Sequence, residues 1–296
     1  MRLTLSKSEI SALREVCERE QTAGELAEAL GVKDSFVSRI LGSLKDKGLI
    51  AIEKNDRTKI VRLSLTQASK NFRELATFRR GSKIESWLSG SALDVLVIAG
   101  FAEGASIGFL MKESKYSRPT IYKALRQLKA AGALSKIGDK FVVTDELVNR
   151  FANDFADTLE LLALEQVSAT AIRVRKHVIL RTDKKLNKPF TLTGLNALRE
   201  LGSVFIPTSY NDYYLNLDGI ERKLTVEACF IHALVLSTLK QYAPDKVVLA
   251  GFLKSGPGRK VGLDFGKLRD FSKVYSVESQ LDLLRTAVGY SEKLRE

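Results

Sequence analysis

From residue 7 to residue 20 the apolar positions Ile10, Leu13, Val16 and Cys17 recur at the spacing of a helix with one buried face. "TAGELAEAL" follows, and its Thr22 and Glu25 have the form of a capping box, hydroxyl and carboxylate satisfying the free N–H groups of a helix start. This short second helix is expected to bury Leu26 and Leu30 and to end at Gly31. A third helix follows from Asp34, with Val37, Leu41 and Leu44 inward and Gly48 closing it. The period then drops to two. "LIAIE" and "IVRLSL" read as strands around the polar tip "KNDRTK", with Val61, Leu63 and Leu65 alternating against Arg62 and Ser64. Three helices and a hairpin make a helix-turn-helix with a wing.

The pattern recurs. Val37, Leu41, Leu44 and Gly48 have counterparts 84 residues on in Ile121, Leu125, Leu128 and Gly132, and the same offset carries Thr22 to Ser106 and Leu26 to Leu110. Six coincidences at one offset predict a structural repeat. In the second copy Ser117 is the expected N-cap, and Pro119 lies in the first turn, where a missing N–H costs nothing. The second wing shrinks to "SKIGDKFVV", with Gly138-Asp139 suited to a two-residue hairpin turn. Between the copies, "TQASKNFRELATFRRGSKIESW" predicts a basic helical connector with Phe72 and Leu75 on one side. Residues 145–165 read as a helix with a stripe of Leu147, Phe151, Phe155, Leu159 and Leu162, and an outer face of Asp154, Asp157 and Glu160. Such a stripe packs on a neighbouring domain or serves as a dimer helix.

From residue 171 strands and helices mix. "HVILR", "SVFIP", "DYYLNL" and "KVVLAG" read as strands, with Asp218-Gly219 as a turn. "TLTGLNALREL" reads as a helix ended by Gly202, "LTVEACFIHALVLSTLKQY" as a long buried helix, and "SVESQLDLLRTAVGY" as a terminal helix capped by Ser276. The expected fold class is α+β: two tandem winged-helix domains followed by a mixed α+β C-terminal domain. The expected boundaries are 1–67 for the first winged helix and 68–87 for the connector. Residues 88–165 form the second winged helix with its linking helix, and 166–296 the C-terminal domain.

The run "TAGELAEALGVKDSFVSRILGSLKDKGLI" resembles the winged-helix regulators of the MarR and ArsR type, over roughly residues 6–67. That resemblance implies a third helix entering the DNA major groove and a wing touching backbone or minor groove. The residues agree. Ser35, Phe36, Ser38 and Arg39 face outward near the start of the helix. Short hydroxyls permit close approach, and Arg39 can make either the bidentate contact to guanine or a phosphate contact. Phe36 either reads a thymine methyl or is partly buried. On the wing, Lys54, Arg57 and Lys59 are candidate backbone binders. The second copy offers Arg118, Thr120, Tyr122, Lys123 and Arg126 at its exposed positions. It is either a second DNA reader or a winged helix retained for packing.

Charge sharpens the choice of partner. The 296 residues carry a formal net charge of +12, which favours a polyanion. The excess is +5 over residues 1–90, −1 over 91–170 and +8 over 171–296. The C-terminal run "RVRKHVILRTDKKLNK" holds Arg173, Arg175, Lys176, Arg181, Lys184, Lys185 and Lys188. It binds DNA backbone or an acidic partner, or is a solvated surface. Two cysteines and two histidines leave no disulfide framework and no zinc-ligand spacing. No metal or cofactor is expected, and His232 within "CFIHALVL" is expected to be a core residue.

"GFLKSGPGRKVGLDF" lacks the Lys-Ser/Thr ending of a P-loop. Its resemblance to minimal nucleotidyltransferases fails at Phe252, where a serine would stand, and at Asp264, which has no paired acid. An enzyme is therefore not expected. No signal-like or membrane-length apolar run is present, so a cytoplasmic protein without a membrane partner is expected. A winged helix followed by an α+β domain, with "TLTGLNALRELG" and "LTVEACFIHALVLS" in order, resembles the AbiEi-type antitoxins. That resemblance implies autoregulation and a toxin partner. The leading expectation is a sequence-specific transcription regulator of double-stranded DNA. The alternative is an interaction adaptor or antitoxin whose C-terminal domain binds a partner protein; a homodimer fits either.

Overall fold

The computed structural model describes residues 3–55, 58–101, 104–165, 167, 169–200, 209–218, 223–254 and 263–293. They fall into two compact units, 1–163 and 164–296.

The first unit opens with α1 (Lys7–Glu18), β1 (Gln21–Thr22), α2 (Ala23–Leu30), α3 (Asp34–Asp46), β2 (Ile50–Asn55) and β3 (Thr58–Leu63). Both early helices start at a complete capping box, Ser6 with Glu9 and Thr22 with Glu25. The strands form one antiparallel sheet in the order β1-β3-β2. Ile10, Leu13, Leu26, Val37, Leu44 and Val61 are completely buried between sheet and helices. Each contributes about 1.5–3 kcal/mol by leaving water. Leu30 is only half-buried, and Ala27 fills the core in its place, one turn nearer the helix start. A buried polar knot ties the chain start to the end of α3. Glu9 Oε1 lies 2.5 Å from Lys47 Nζ and 2.6 Å from Ser43 Oγ, while Lys47 also donates to the Thr4 carbonyl at 2.8 Å. Burial alone would raise the Glu9 carboxyl; the bonds from Lys47, Ser43 and the Ser6 N–H outweigh it and hold the group below its ordinary value.

The unit continues through α4 (Gln67–Phe78), α5 (Ile84–Trp87), α6 (Ser91–Phe101), α7 (Ile107–Ser114), α8 (Arg118–Ala130), β4 (Leu134–Ile137), β5 (Lys140–Val143) and α9 (Glu146–Leu164). The offset of 84 holds in the backbone. α7 and α8 occupy the residues of α2 and α3 shifted by 84. Ala105, 84 residues after Gln21, makes an isolated bridge to Phe141 as Gln21 pairs with Val61. The left-handed cap at Gly31 (φ 63°) recurs at Lys115 (φ 61°), and that at Gly48 (φ 68°) at Gly132 (φ 70°). The second hairpin turns at Gly138-Asp139.

Of the two roles open to α9, packing is what the structure shows. Phe151, Phe155 and Leu159 are buried, and the Phe151 ring meets Phe72 of α4 edge-to-face at 5.2 Å. Leu147 and Leu162 are only half-buried. The outer face differs from expectation too: Asp154, Asp157 and Glu160 are half-buried, not solvated. Asp154 accepts a hydrogen bond from Asn71 of α4. Burial raises the carboxyls of Asp154 and Glu160 above their ordinary values.

The second unit comprises β6 (Thr170–Val174), β7 (His177–Thr182), β8 (Thr191–Leu192), α10 (Gly194–Glu200), β9 (Asn211–Asn216), α11 (Val226–Leu236), a 3-10 turn (Lys240–Tyr242), α12 (Asp245–Lys254), α13 (Phe265–Val274) and α14 (Glu278–Lys293). Its antiparallel sheet runs β6-β7-β9-β8. α11 is buried on all sides and forms the centre of the core with Leu198, Leu249, Leu268 and Leu281.

Four expectations are corrected here. The helix expected over "TLTGLNALREL" starts only at Gly194, because Thr191–Leu192 pair with β9 as β8. "KVVLAG" is the start of α12, not a strand: Leu249 and Phe252, three apart, face the core while Val247 is 75% exposed, a helical rather than alternating burial. The long helix stops at Leu236 and tightens into the 3-10 turn. Ser276 does not cap α14, because it sits in a left-handed turn (φ 55°) and Val277 intervenes. "SVFIP", Gly202 and Gly219 lie outside the described residues, as does most of the stretch after Lys254.

Candidate nucleic-acid interface

α3 is amphipathic for a local reason: Val37, Ile40, Leu41 and Leu44 are consumed by the core, which leaves the opposite face free. Ser35, Ser38 and Arg39 are exposed on it and Phe36 is half-buried. The Arg39 guanidinium lies over the Phe36 ring, 5.3 Å from its centroid. In front of this face opens a shallow concavity shared with α2 and lined by Gly24, Gly31, Lys33, Ser35, Phe36 and Arg39. On the wing, Lys59 is exposed and stands in register opposite Lys54, so the backbone sets both at the tip. Arg57 lies outside the described residues. Arg62 is spent on an exposed ion pair with Glu53, which adds little to stability.

α8 repeats the arrangement with other side chains. Ile121, Ala124, Leu125 and Leu128 are buried, and Arg118, Tyr122, Lys123 and Arg126 are exposed. Thr120 departs from expectation. It is half-buried, and its hydroxyl is bonded to Ser117 at 2.9 Å. Ser117 accordingly holds the N-cap position without a side-chain bond to the helix backbone. Arg118 lies over Tyr122, 5.6 Å from the ring centroid, and donates to its hydroxyl at 3.3 Å. Where α3 starts with Asp34, α8 starts with Arg118, so the second helix presents the more positive end.

Each helix thus brings its own candidate residues onto one face. The two arginine–ring pairs were not among the sequence expectations. Their signal was present in the spacing, since an aromatic and an arginine three or four apart share a helix face.

The basic C-terminal run is corrected by the structure. Lys176 and Arg181 are buried in ion pairs, Lys176 with Asp218 at 3.1 Å and Arg181 with Asp212 and Asp245, each at 2.6 Å. Arg181 is also stacked on Tyr210 and Tyr242, at 3.8 and 4.3 Å. Neither cation faces solvent, whereas Lys184, Lys185 and Lys188 do. His232 is a core residue, hydrogen-bonded to Thr193 and Tyr275 at 2.8 Å each and stacked on Tyr214.

Three helices, the α2–α3 turn and a three-stranded wing define the start of the chain as a winged helix, a fold that presents one helix to a DNA groove. A comparison with known protein families matches residues 3–59 to the MarR family. The match covers α1 to the start of β3 and points to a DNA-binding transcription regulator. Comparisons with curated proteins and with solved structures gave no match. Among the described residues, no helix is long and apolar enough to cross a membrane.

Proposed function

We propose that the chain is a sequence-specific, double-stranded DNA-binding transcription regulator that reads with two winged helices in tandem. One observation carries the reading: the exposed face of α3, with Ser35, Ser38 and Arg39, lies within the segment that matches the MarR family. The second winged helix is inferred from the recurrence of α2 and α3 as α7 and α8, and of three backbone features, at one offset. The start of α3 then enters one major groove and α8 another, while the wing lysines hold phosphate.

The experiment is a titration of the whole chain against random and genomic duplexes over a range of salt. Seven cations stand at the candidate positions: Arg39, Lys54, Arg57, Lys59, Arg118, Lys123 and Arg126. If about five touch phosphate, affinity falls roughly 500-fold between 50 and 200 mM salt. Loss on Arg39→Ala but not Arg126→Ala assigns the binding to the first copy. No binding at low salt overturns the reading and favours its rival, a docking adaptor or antitoxin whose second unit holds a partner protein.

A further inference from the structure

We propose that Phe36 and Tyr122 are specificity-determining residues. Each braces one arginine, Arg39 and Arg118, as a guanine reader, so each helix demands guanine at one position of its own groove. This rests on the DNA-binding reading above and deepens it.

An exposed arginine on a helix has many rotamers, and immobilising it on a base edge costs side-chain entropy. A guanidinium already held over a ring has given up part of that freedom before DNA arrives. Both reading helices carry such a pair on the face that the core leaves free, built from different residues: Phe36 with Arg39, three apart, and Arg118 with Tyr122, four apart. Phe36 suits the role because it is half-buried and carries the Arg39 guanidinium over its ring. In the second pair the Tyr122 hydroxyl adds a directional contact, accepting from Arg118 Nη2 at 3.3 Å. Of the other exposed cations of α8, Lys123 and Arg126 stand at candidate positions and make no ring contact. They fit phosphate contacts, which tolerate a mobile charge.

The braces do not superpose under the repeat. Arg39 is the sixth residue of α3 and Arg118 the first of α8. Arg39 reaches back to the Phe36 ring and Arg118 forward to the Tyr122 ring, so guanidinium groups that start about 7.5 Å apart in height end over rings whose repeat positions, 36 and 38, differ by about 3 Å.

Selection from randomised duplexes, followed by competition titration of single-base variants, tests this on the full chain. Phe36→Leu keeps apolar bulk and removes the π face. It is expected to lower the preference for guanine at one position roughly two- to fivefold, a larger loss than on duplexes that lack that guanine. Phe36→Tyr is expected to restore the preference. Arg39→Ala is expected to abolish it and to leave the salt slope lower by at most about one unit. Tyr122→Leu is expected to act in the same way at a second position, and Tyr122→Phe to keep most of the preference. Phe36→Leu weakening all duplexes equally, or leaving the base preference as in the parent, overturns the brace while DNA binding stands. A parent chain that binds no duplex at low salt overturns the DNA reading and this inference with it.

Discussion

Gly48 and Gly132 occupy the same place in the repeat and the same backbone, φ 68° and 70°, yet their surroundings differ. Alanine at either position meets the left-handed penalty of about 1–2 kcal/mol. Stiffening of the unfolded chain returns roughly 0.4–1 kcal/mol of it. At Gly132 nothing lies within 4 Å of a built Cβ, so Gly132→Ala is expected to cost only about 1 kcal/mol. At Gly48 the Cβ would stand 2.8 Å from Leu162 Cδ1 and 2.9 Å from Thr158 Cγ2. Thr158 has little room to yield, being buried, β-branched and bonded to the Asp154 carbonyl at 2.8 Å. Overpacking then adds about 1–3 kcal/mol, and Gly48→Ala is expected to cost about 2–4 kcal/mol in all. The chain's single tryptophan, Trp87, is 5% exposed in α5, so urea titration followed by its fluorescence reads this unit. Leu162→Ala is expected to narrow the gap between the two glycine variants by opening space for the new methyl. Equal losses at the two glycines would refute the packing of α9 against the exit of α3.

The second unit yields a pH prediction and a charge prediction. Burial, reinforced by the nearby His177, depresses the His232 imidazole to about 3. Its folded value thus lies below the unfolded one near 6.5, and stability is complete above that pH and lost as pH falls toward 3. By pH 5 the loss is on the order of 2 kcal/mol, readable in near-UV circular dichroism because six of the eight tyrosines lie in residues 164–296. His232→Phe should flatten this slope, and an unchanged slope would show that another group sets it. Arg181→Met leaves Asp212 and Asp245 buried without their cation and is expected to cost about 3–5 kcal/mol in the same assay; a loss below about 1 kcal/mol would mean that water reaches the pair. Burial pushes the Cys17 thiol up to about 12 and raises that of Cys229. Neither should react with a disulfide reagent at pH 8 until urea unfolds the chain, and a fast native thiol would contradict the packing around α1 or α11.

What could be read from the chain follows from the range over which each feature is determined. α2 and α3 were legible because their signals are local: a hydroxyl and a carboxylate three apart at the start, apolar side chains at helical steps, a glycine at the end. "KVVLAG" misled for the same reason. Two adjacent β-branched residues speak for a strand locally, but the packing of Leu249 and Phe252 against α11 decides the outcome at long range. The run from Arg173 to Lys188 looked like a surface because nothing beside Arg181 announces Asp212 or Asp245, which lie 31 and 64 residues away.

The candidate interface sits between these cases. Its positions are the complement of the core positions, so Ser35, Ser38 and Arg39 could be named once Val37, Leu41 and Leu44 were assigned inward. The use of each position could not be read in that way, because folding constrains the inward face and leaves the outward face free. Two copies built on one core pattern can therefore keep α2 and α3 to the residue in α7 and α8 while exchanging Asp34 for Arg118 and Ser38 for Tyr122 on the outside. Only the fold of the repeat is under the repeat's own control. On the proposed reading recognition falls to the outward side chains, so substitutions at Phe36 and Tyr122 should change which duplex is bound while the buried face keeps the chain folded.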